Sequence, residues 1–259
     1  MGSAFYLPEG DGFRSTELTR GPWDPETQHA GPPAALIGRA LERHLDDGWF
    51  IGRITFEILK PIPIAPLSVE VEVVRPGRSV QLLAASLADG ESEVIRASAW
   101  ALATREVELP AGLPGAPELP PGPEQGVEEP FFDTGHEVGY HTAMEYRFVA
   151  GSFRRPGPAT VWMRMKHPLV EGESPSPLQR VVIAADTGNG ASATLDLATQ
   201  IFINVDLTVH LHRLPRGDWV CLDAVTLPEP NGVGLAESRL FDQSGALGRA
   251  LQTLLVRAR

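Results

Sequence analysis

Residues 51–102 and residues 204–255 follow one pattern without a gap, at a constant offset of 153. Val69, Val71 and Val73 fall on Leu222, Ala224 and Thr226. Leu82 falls on Leu235, Leu87 on Leu240, Asp89 on Asp242 and Arg96 on Arg249. Identity is low, but apolar and polar positions alternate in step, the mark of strands with one buried face. Asp89-Gly90-Glu91-Ser92 and Asp242-Gln243-Ser244-Gly245 occupy the same place in each copy and read as hairpin turns. A chain of 259 residues with this duplication is expected to form two copies of one small domain.

Upstream of each meander lies a helix candidate. The first runs from Pro32 to Leu45, where Pro32 and Pro33 suit a helix start because a missing N–H costs nothing there. The second runs from Pro177 to about Asp186 through Val181, Val182, Ile183, Ala184 and Ala185, with Gly188 and Gly190 expected to stop it. Both are apolar on most faces, so both must be buried on most faces. A curved antiparallel sheet wrapped around one buried helix is the hotdog arrangement. The expected class is therefore α+β, a double hotdog of two curved sheets.

Between the copies, Pro110, Pro114, Pro117, Pro120, Pro121 and Pro123 crowd one stretch. Prolines at that density cannot join a ladder or a helix interior, so the segment reads as an extended surface connector. The expected division is an N-terminal hotdog over 1–105, a connector over 106–135 and a C-terminal hotdog carrying the active site over 136–259.

Composition excludes several classes of function. A net charge of −11 argues against a nucleic-acid partner, which needs a basic face. The single cysteine, Cys221, rules out an internal disulfide framework and reads as a core thiol. Met1 to Gly10 carries neither a basic n-region nor an apolar h-region, and no apolar run approaches the ~20 residues of a membrane span. The protein is expected to be cytoplasmic, with no membrane partner. No Gly-x-Ser-x-Gly elbow and no phosphate-binding glycine loop are present. Only His210 and His212 fall at a metal-like spacing, without an acidic or cysteine neighbour, so no metal or cofactor is expected.

Three stretches resemble the double-hotdog acyl-CoA thioesterases of the thioesterase II type. They are Gln28-His29-Ala30-Gly31-Pro32-Pro33-Ala34-Ala35-Leu36, Asn204-Val205-Asp206-Leu207-Thr208-Val209-His210-Leu211-His212-Arg213, and Gly245-Ala246-Leu247-Gly248-Arg249-Ala250-Leu251-Gln252. The resemblance covers nearly the whole chain outside the connector. It implies an acyl-CoA substrate; separately, pairing of exposed sheet faces leads to the expectation of a homodimer or higher homo-oligomer. In that family a carboxylate, a hydroxyl and a glutamine hold and activate the attacking water. The matching positions are Asp186 at the end of the second helix, Asn204 at the start of the following strand, and Gln252 on the last strand. Asn204 departs from the family, which has Thr or Ser there, although an amide can still donate and accept.

Asp186 is the only base of the three, since amides take no proton at neutral pH; Asn204 and Gln252 would orient the water. The oxyanion would be met by backbone N–H groups at the start of a buried helix, with Gly31 as the edge of that site and His29 facing the substrate. The repeat supplies a separate argument. At the offset of 153, Asn204 corresponds to Ile51 and Gln252 to Ala99. Aligning the helices instead puts Asp186 opposite Ala40. Packing alone gives no reason for a position to be polar in one copy and apolar in the other, so one site per chain is expected, in the second half.

Each residue also has a purely structural reading. Asp186 could terminate its helix, Asn204 could begin a strand, and Gln252 could face outward with Ala250 and Leu254. Two other functions compete. Asp24-Pro25-Glu26-Thr27-Gln28-His29 resembles the Asp/His pair of R-specific enoyl-CoA hydratases, with Glu26 and Thr27 where that family has Asn and Pro. A hotdog that binds acyl groups without catalysis is the other.

Overall fold

The computed structural model describes residues 4–113, 115, 117–196 and 199–259. Pro114 of the connector and the first three residues of the N-terminal stretch lie outside the described residues. A hairpin of β1 (Tyr6–Glu9) and β2 (Gly12–Ser15) precedes α1 (Gly31–His44). Four long strands follow: β3 (Trp49–Ile58), β4 (Pro66–Arg75), β5 (Val80–Asp89) and β6 (Ser92–Ala103). After the connector the order recurs with α2 (Tyr140–Ala143), β7 (Met144–Ser152), β8 (Arg155–Met165) and α3 (Pro177–Ala185). The chain ends with α4 (Gly188–Ala191), β9 (Gln200–Asn204), β10 (Asp206–Leu211), β11 (Val220–Pro228), β12 (Val233–Asp242) and β13 (Gly245–Ala258).

The strands join edge to edge in the order β1-β2-β4-β5-β6-β3-β10-β13-β12-β11-β8-β7, with β9 also on β13. The second half of this order mirrors the first, and the repeat maps β5 onto β12 with coincident ends. The two sheets meet where β3 pairs antiparallel with β10. At that seam Thr55 lies opposite Thr208, its own repeat mate, and the Thr208 hydroxyl donates to Thr55 Oγ1 at 3.2 Å. A pseudo-twofold axis therefore passes between these two threonines. The molecule is an α+β double hotdog.

Each sheet wraps one helix. Ala35, Leu36, Ile37 and Leu41 of α1 and Val181, Val182 and Ile183 of α3 are fully buried, each large side chain contributing about 1.5–3 kcal/mol. Ser176 caps α3, its hydroxyl accepting the Gln179 N–H at 3.1 Å. The helices lie antiparallel, with the start of α1 against the end of α3: a Cβ on Gly31 would come within 2.5 Å of the Ile183 carbonyl oxygen. Only glycine permits that approach.

Two local expectations are corrected. Gly188 and Gly190 do not stop the second helix, which ends at Ala185; both belong to α4. Gly188 is there for closeness, since a Cβ would stand 2.5 Å from Ser238 Oγ and 3.4 Å from Gln252 Oε1. Asn204 ends β9 rather than starting a strand. The break has a counterpart in the first copy. The β3–β6 register slips between Ile51 and Arg53, and the same slip at the offset of 153 separates β9 from β10 at Val205. Bulges of this kind re-aim a side chain beside a site.

The later part of the connector docks on the second half. Trp162 Nε1 donates to the Pro121 carbonyl at 2.7 Å. Val127 and Phe148 exchange N–H···O bonds of 2.9 and 2.8 Å across the free edge of β7. Cys221 is fully buried with Trp162 and Phe241, and burial pushes its thiol far above the usual range. Among the described residues, no helix is long and apolar enough to cross a membrane.

The β12–β13 turn that sets the position of β13 is held by Asp242, which is fully buried. Arg213 clamps its carboxylate with two N–H donors at 2.6 Å, and Arg216 N–H and Ser244 N–H each donate at 2.8 Å. Burial alone would raise this carboxyl, but these donors hold it far below the usual range. The folded value lies below the unfolded one. The stability it supplies is therefore complete above about pH 4 and is lost as the pH falls below that. Asp242→Ala should cost about 3 kcal/mol at pH 7 by stranding Arg213. Urea midpoints at pH 7 and pH 3 check it, with the variant's deficit shrinking at the lower pH.

Candidate active site

The end of α3, the end of β9 and the middle of β13 bring Asp186, Asn204 and Gln252 together. Asp186 is the C-cap of α3 and is 6% exposed. Its Oδ1 accepts Asn204 Nδ2 at 2.9 Å and Gln252 Nε2 at 3.0 Å. Gln252 Nε2 also donates to the Asp186 carbonyl at 3.0 Å. Ala250, Gln252 and Leu254 do share a face, but it is the buried face, so the outward-facing reading of Gln252 fails.

The orientation of both amides follows from their partners. Gln252 Oε1 accepts the Asn189 N–H at 3.0 Å; that group can only donate, so Nε2 must point at Asp186. Asn204 Nδ2 meets Asp186 and the Asp206 carbonyl, the latter at 3.2 Å; both can only accept. The Asn204 oxygen therefore has no protein donor among the described residues.

The second carboxylate oxygen of Asp186 faces the first half of the chain. Asp186 Oδ2 lies 3.1 Å from His29 Nδ1, and Gly31 N–H points at the same nitrogen from 3.1 Å. One nitrogen serves only one of these partners at a time. With a proton on Nδ1 the ring donates to Asp186. With Nδ1 bare it accepts from Gly31, or from a protonated Asp186. Burial lowers the His29 imidazole from its ordinary 6.5, against the pull of the Asp186 carboxylate. The ring is therefore neutral at pH 7 and able to follow the protonation of Asp186.

His29 is stacked flat on Tyr140, with ring centroids 3.8 Å apart and planes at 11°. The Tyr140 hydroxyl donates to the Ile183 carbonyl at 2.7 Å and lies 2.9 Å from Thr187 Oγ1. Burial drives that phenol far above its usual range, so Tyr140 orients the imidazole and exchanges no proton. Sequence reasoning missed Tyr140, because no local pattern ties it to a histidine so far away in the chain. It also missed Asn189, which the helical spacing of three from Asp186 could have flagged.

The Gly31 expectation is corrected. Its N–H is directed at His29, Pro32 and Pro33 have none, and Ala34 N–H closes the first helical turn on Ala30 O. The N–H of Ala30 has no partner among the described residues, and Ala30 lines the cavity. Asp24 and His29 both line the cavity, but the carboxylate paired with His29 is Asp186. Asp24 is exposed, and its Oδ1 accepts the Glu26 N–H of its own turn at 2.8 Å.

These groups open into a cavity of about 380 Å³ lined by both halves: 22–24, 27–30 and 58–62 from the first, 186, 187, 189, 190, 193 and 202–205 from the second, and Phe131 and Phe132 between them. The lining is largely apolar, with Asp186 at one wall. A largely apolar cleft beside a buried carboxylate, with a free N–H at the start of a long helix, could suit attack on a carbonyl. Among the described residues no cluster of His, Cys, Asp and Glu could hold a metal ion.

Solved structures with this fold span nearly the whole chain. A hot dog fold protein from Alicyclobacillus acidocaldarius superposes with a TM-score of 0.74 at 17% identity, covering 98% of this chain and 96% of that one. The tesB protein of Mycobacterium avium subs paratuberculosis gives 0.68 at 16%, covering 97% and 96%. Acyl-CoA thioesterase II TesB2 from Mycobacterium marinum gives 0.66 at 18%, covering 96% and 94%. No curated protein sequence matches the chain. The sequence profile of the acyl-CoA thioesterase N-terminal domain matches residues 19–102, and that of the acyl-CoA thioesterase C-terminal domain matches residues 119–256. With both domain profiles matched in order around one shared cavity, the chain belongs to the acyl-CoA thioesterase family.

Proposed function

We propose that the cavity cleaves acyl-CoA thioesters by direct attack of one water, with Asp186 as general base, Asn204 holding that water and Gln252 fixing the Asp186 carboxylate. The observation that carries this is the convergence of two amides from separate strands on one buried carboxylate at 2.9–3.0 Å. Asp186 Oδ1 is occupied by the two amides, so Oδ2 is the atom left to take a proton. The free Asn204 oxygen accepts the other water hydrogen. Asn204 thus does what a Thr or Ser hydroxyl does: it donates to the carboxylate and accepts from the water.

As the water oxygen bonds to the thioester carbon, one of its protons passes to Asp186 Oδ2. His29 Nδ1 accepts a hydrogen bond from that protonated carboxyl and so stabilises it. The carbonyl oxygen gains negative charge, which the Ala30 N–H and the positive end of α1 offset. The carbon–sulfur bond then breaks, and the departing thiolate recovers the proton from Asp186. The products are the free acid and CoA. Asp24 has no part in this scheme.

Free-thiol release from acyl-CoAs of short, medium and long chain tests the reading. Asp186→Asn should lower kcat at least about 10²-fold, the smallest usual share of a positioned base. Asn204→Leu, which removes one hydrogen bond to a charged group, should lose about ten- to a hundredfold. Asn204→Thr should keep most of the activity. Full activity in Asp186→Asn would remove the base from this position.

The pH dependence has a definite sign. A protonated His29 donates to Oδ2 and withdraws it from the water, so kcat/KM should fall as the pH drops through the His29 value, which lies below 6.5. Above it the profile should be flat through neutrality. In His29→Gln, which carries no titrating ring, that acid limb should move to lower pH. An unmoved limb would show that His29 does not govern the base.

A further inference from the structure

The cavity lining has two unlike flanks. On one, Trp23, Leu59 and Val205 are 43%, 44% and 44% exposed, and Lys60, the one cation among the lining residues, stands beside them. That flank is open to water. On the other, Phe131 and Phe132 are half-buried and backed by Tyr146, Phe148 and Phe153, all buried. The Phe131 ring centroid lies 4.3 Å from Phe132 and 4.3 Å from Phe153. The backbone there is tied down as well: Arg154 donates to the Phe131 carbonyl at 3.2 and 3.0 Å, and Val127 is bridged to Phe148. The connector is therefore a strap that presents two half-buried aromatic rings to the cavity.

We infer that Phe131 and Phe132 form the floor of the acyl compartment and set the length of acyl chain the enzyme accepts. This rests on the thioesterase reading above. The phosphate-bearing part of CoA is highly charged and must remain in water, so it leaves by the open flank, past Lys60. The thioester carbon stops at Asp186, and the acyl chain runs on toward the rings. An acyl chain gains affinity for each methylene it buries until it meets the floor, about fourfold per methylene. Phe132 makes fewer ring contacts than Phe131, so its replacement alters the floor with less damage to the strap.

The test uses S-alkyl-CoA thioethers from butyl to hexadecyl, which bind but cannot be hydrolysed, titrated by calorimetry into the wild-type protein, Phe132→Ala and Phe132→Trp. In the wild type the affinity should climb with chain length and then level off. In Phe132→Ala the plateau should move roughly two to four methylenes longer, the space of the lost ring, and in Phe132→Trp it should move shorter. Hydrolysis of the matching acyl-CoAs should shift in the same directions. An unchanged plateau in both variants, an equal loss at every length, or no binding of any thioether by the wild type would each overturn the inference. Opposite shifts in binding without thiol release from any acyl-CoA would retain the floor and remove the catalytic proposal instead.

Discussion

The contact between the start of α1 and the end of α3 is the constraint on which the site depends. Gly31 lies so close to the Ile183 carbonyl that a methyl group would not fit, and Asp186 follows Ile183 by less than one helical turn. The close crossing therefore delivers His29, just before α1, to Asp186, just after α3. It also sets the positive end of one helix dipole against the negative end of the other, an arrangement that favours both. The buried carboxylate is then supported by the donors of Asn204 and Gln252, as a buried charge requires.

The pseudo-twofold axis between Thr55 and Thr208 would generate a second site from the first, but the residues do not repeat. Ile51 and Ala99, the counterparts of Asn204 and Gln252, are 6% and 0% exposed and belong to the apolar core. A carboxylate there would find no amide partners and would pay the full cost of desolvation. The shared bulge shows that the backbone of the site exists in both copies. Side-chain chemistry alone distinguishes the copy that holds Asn204 and Gln252 from the copy that holds Ile51 and Ala99.

The connector joins the two halves and also takes part in the site. Its last third adds one bridge to the open edge of β7, which covers otherwise unpaired backbone groups, and then carries Phe131 and Phe132 to the cavity. Prolines explain the earlier part, which cannot pair. The aromatic residues explain why the later part nevertheless docks.

The ungapped offset of 153, the alternation of β3 to β6 and β10 to β13, and the two apolar helices were legible in the chain itself. Strand periodicity and all-round apolarity are local properties that survive without knowledge of the partner. Asp186, Asn204, Gln252, His29 and Gly31 could likewise be singled out, because they fall in or beside stretches that resemble the thioesterase II type, and the apolar counterparts of Asp186, Asn204 and Gln252 in the other copy added a separate argument. Their mutual arrangement was not legible. That Asn204 closes a strand, that Gly31 spends its N–H on His29 and leaves Ala30 as the free donor, that Tyr140 stacks on the imidazole, and that His29 meets Asp186 all depend on how separate elements pack. Local pattern sets which face of an element is buried. Only the packing of one helix end on another decides which side chains meet there.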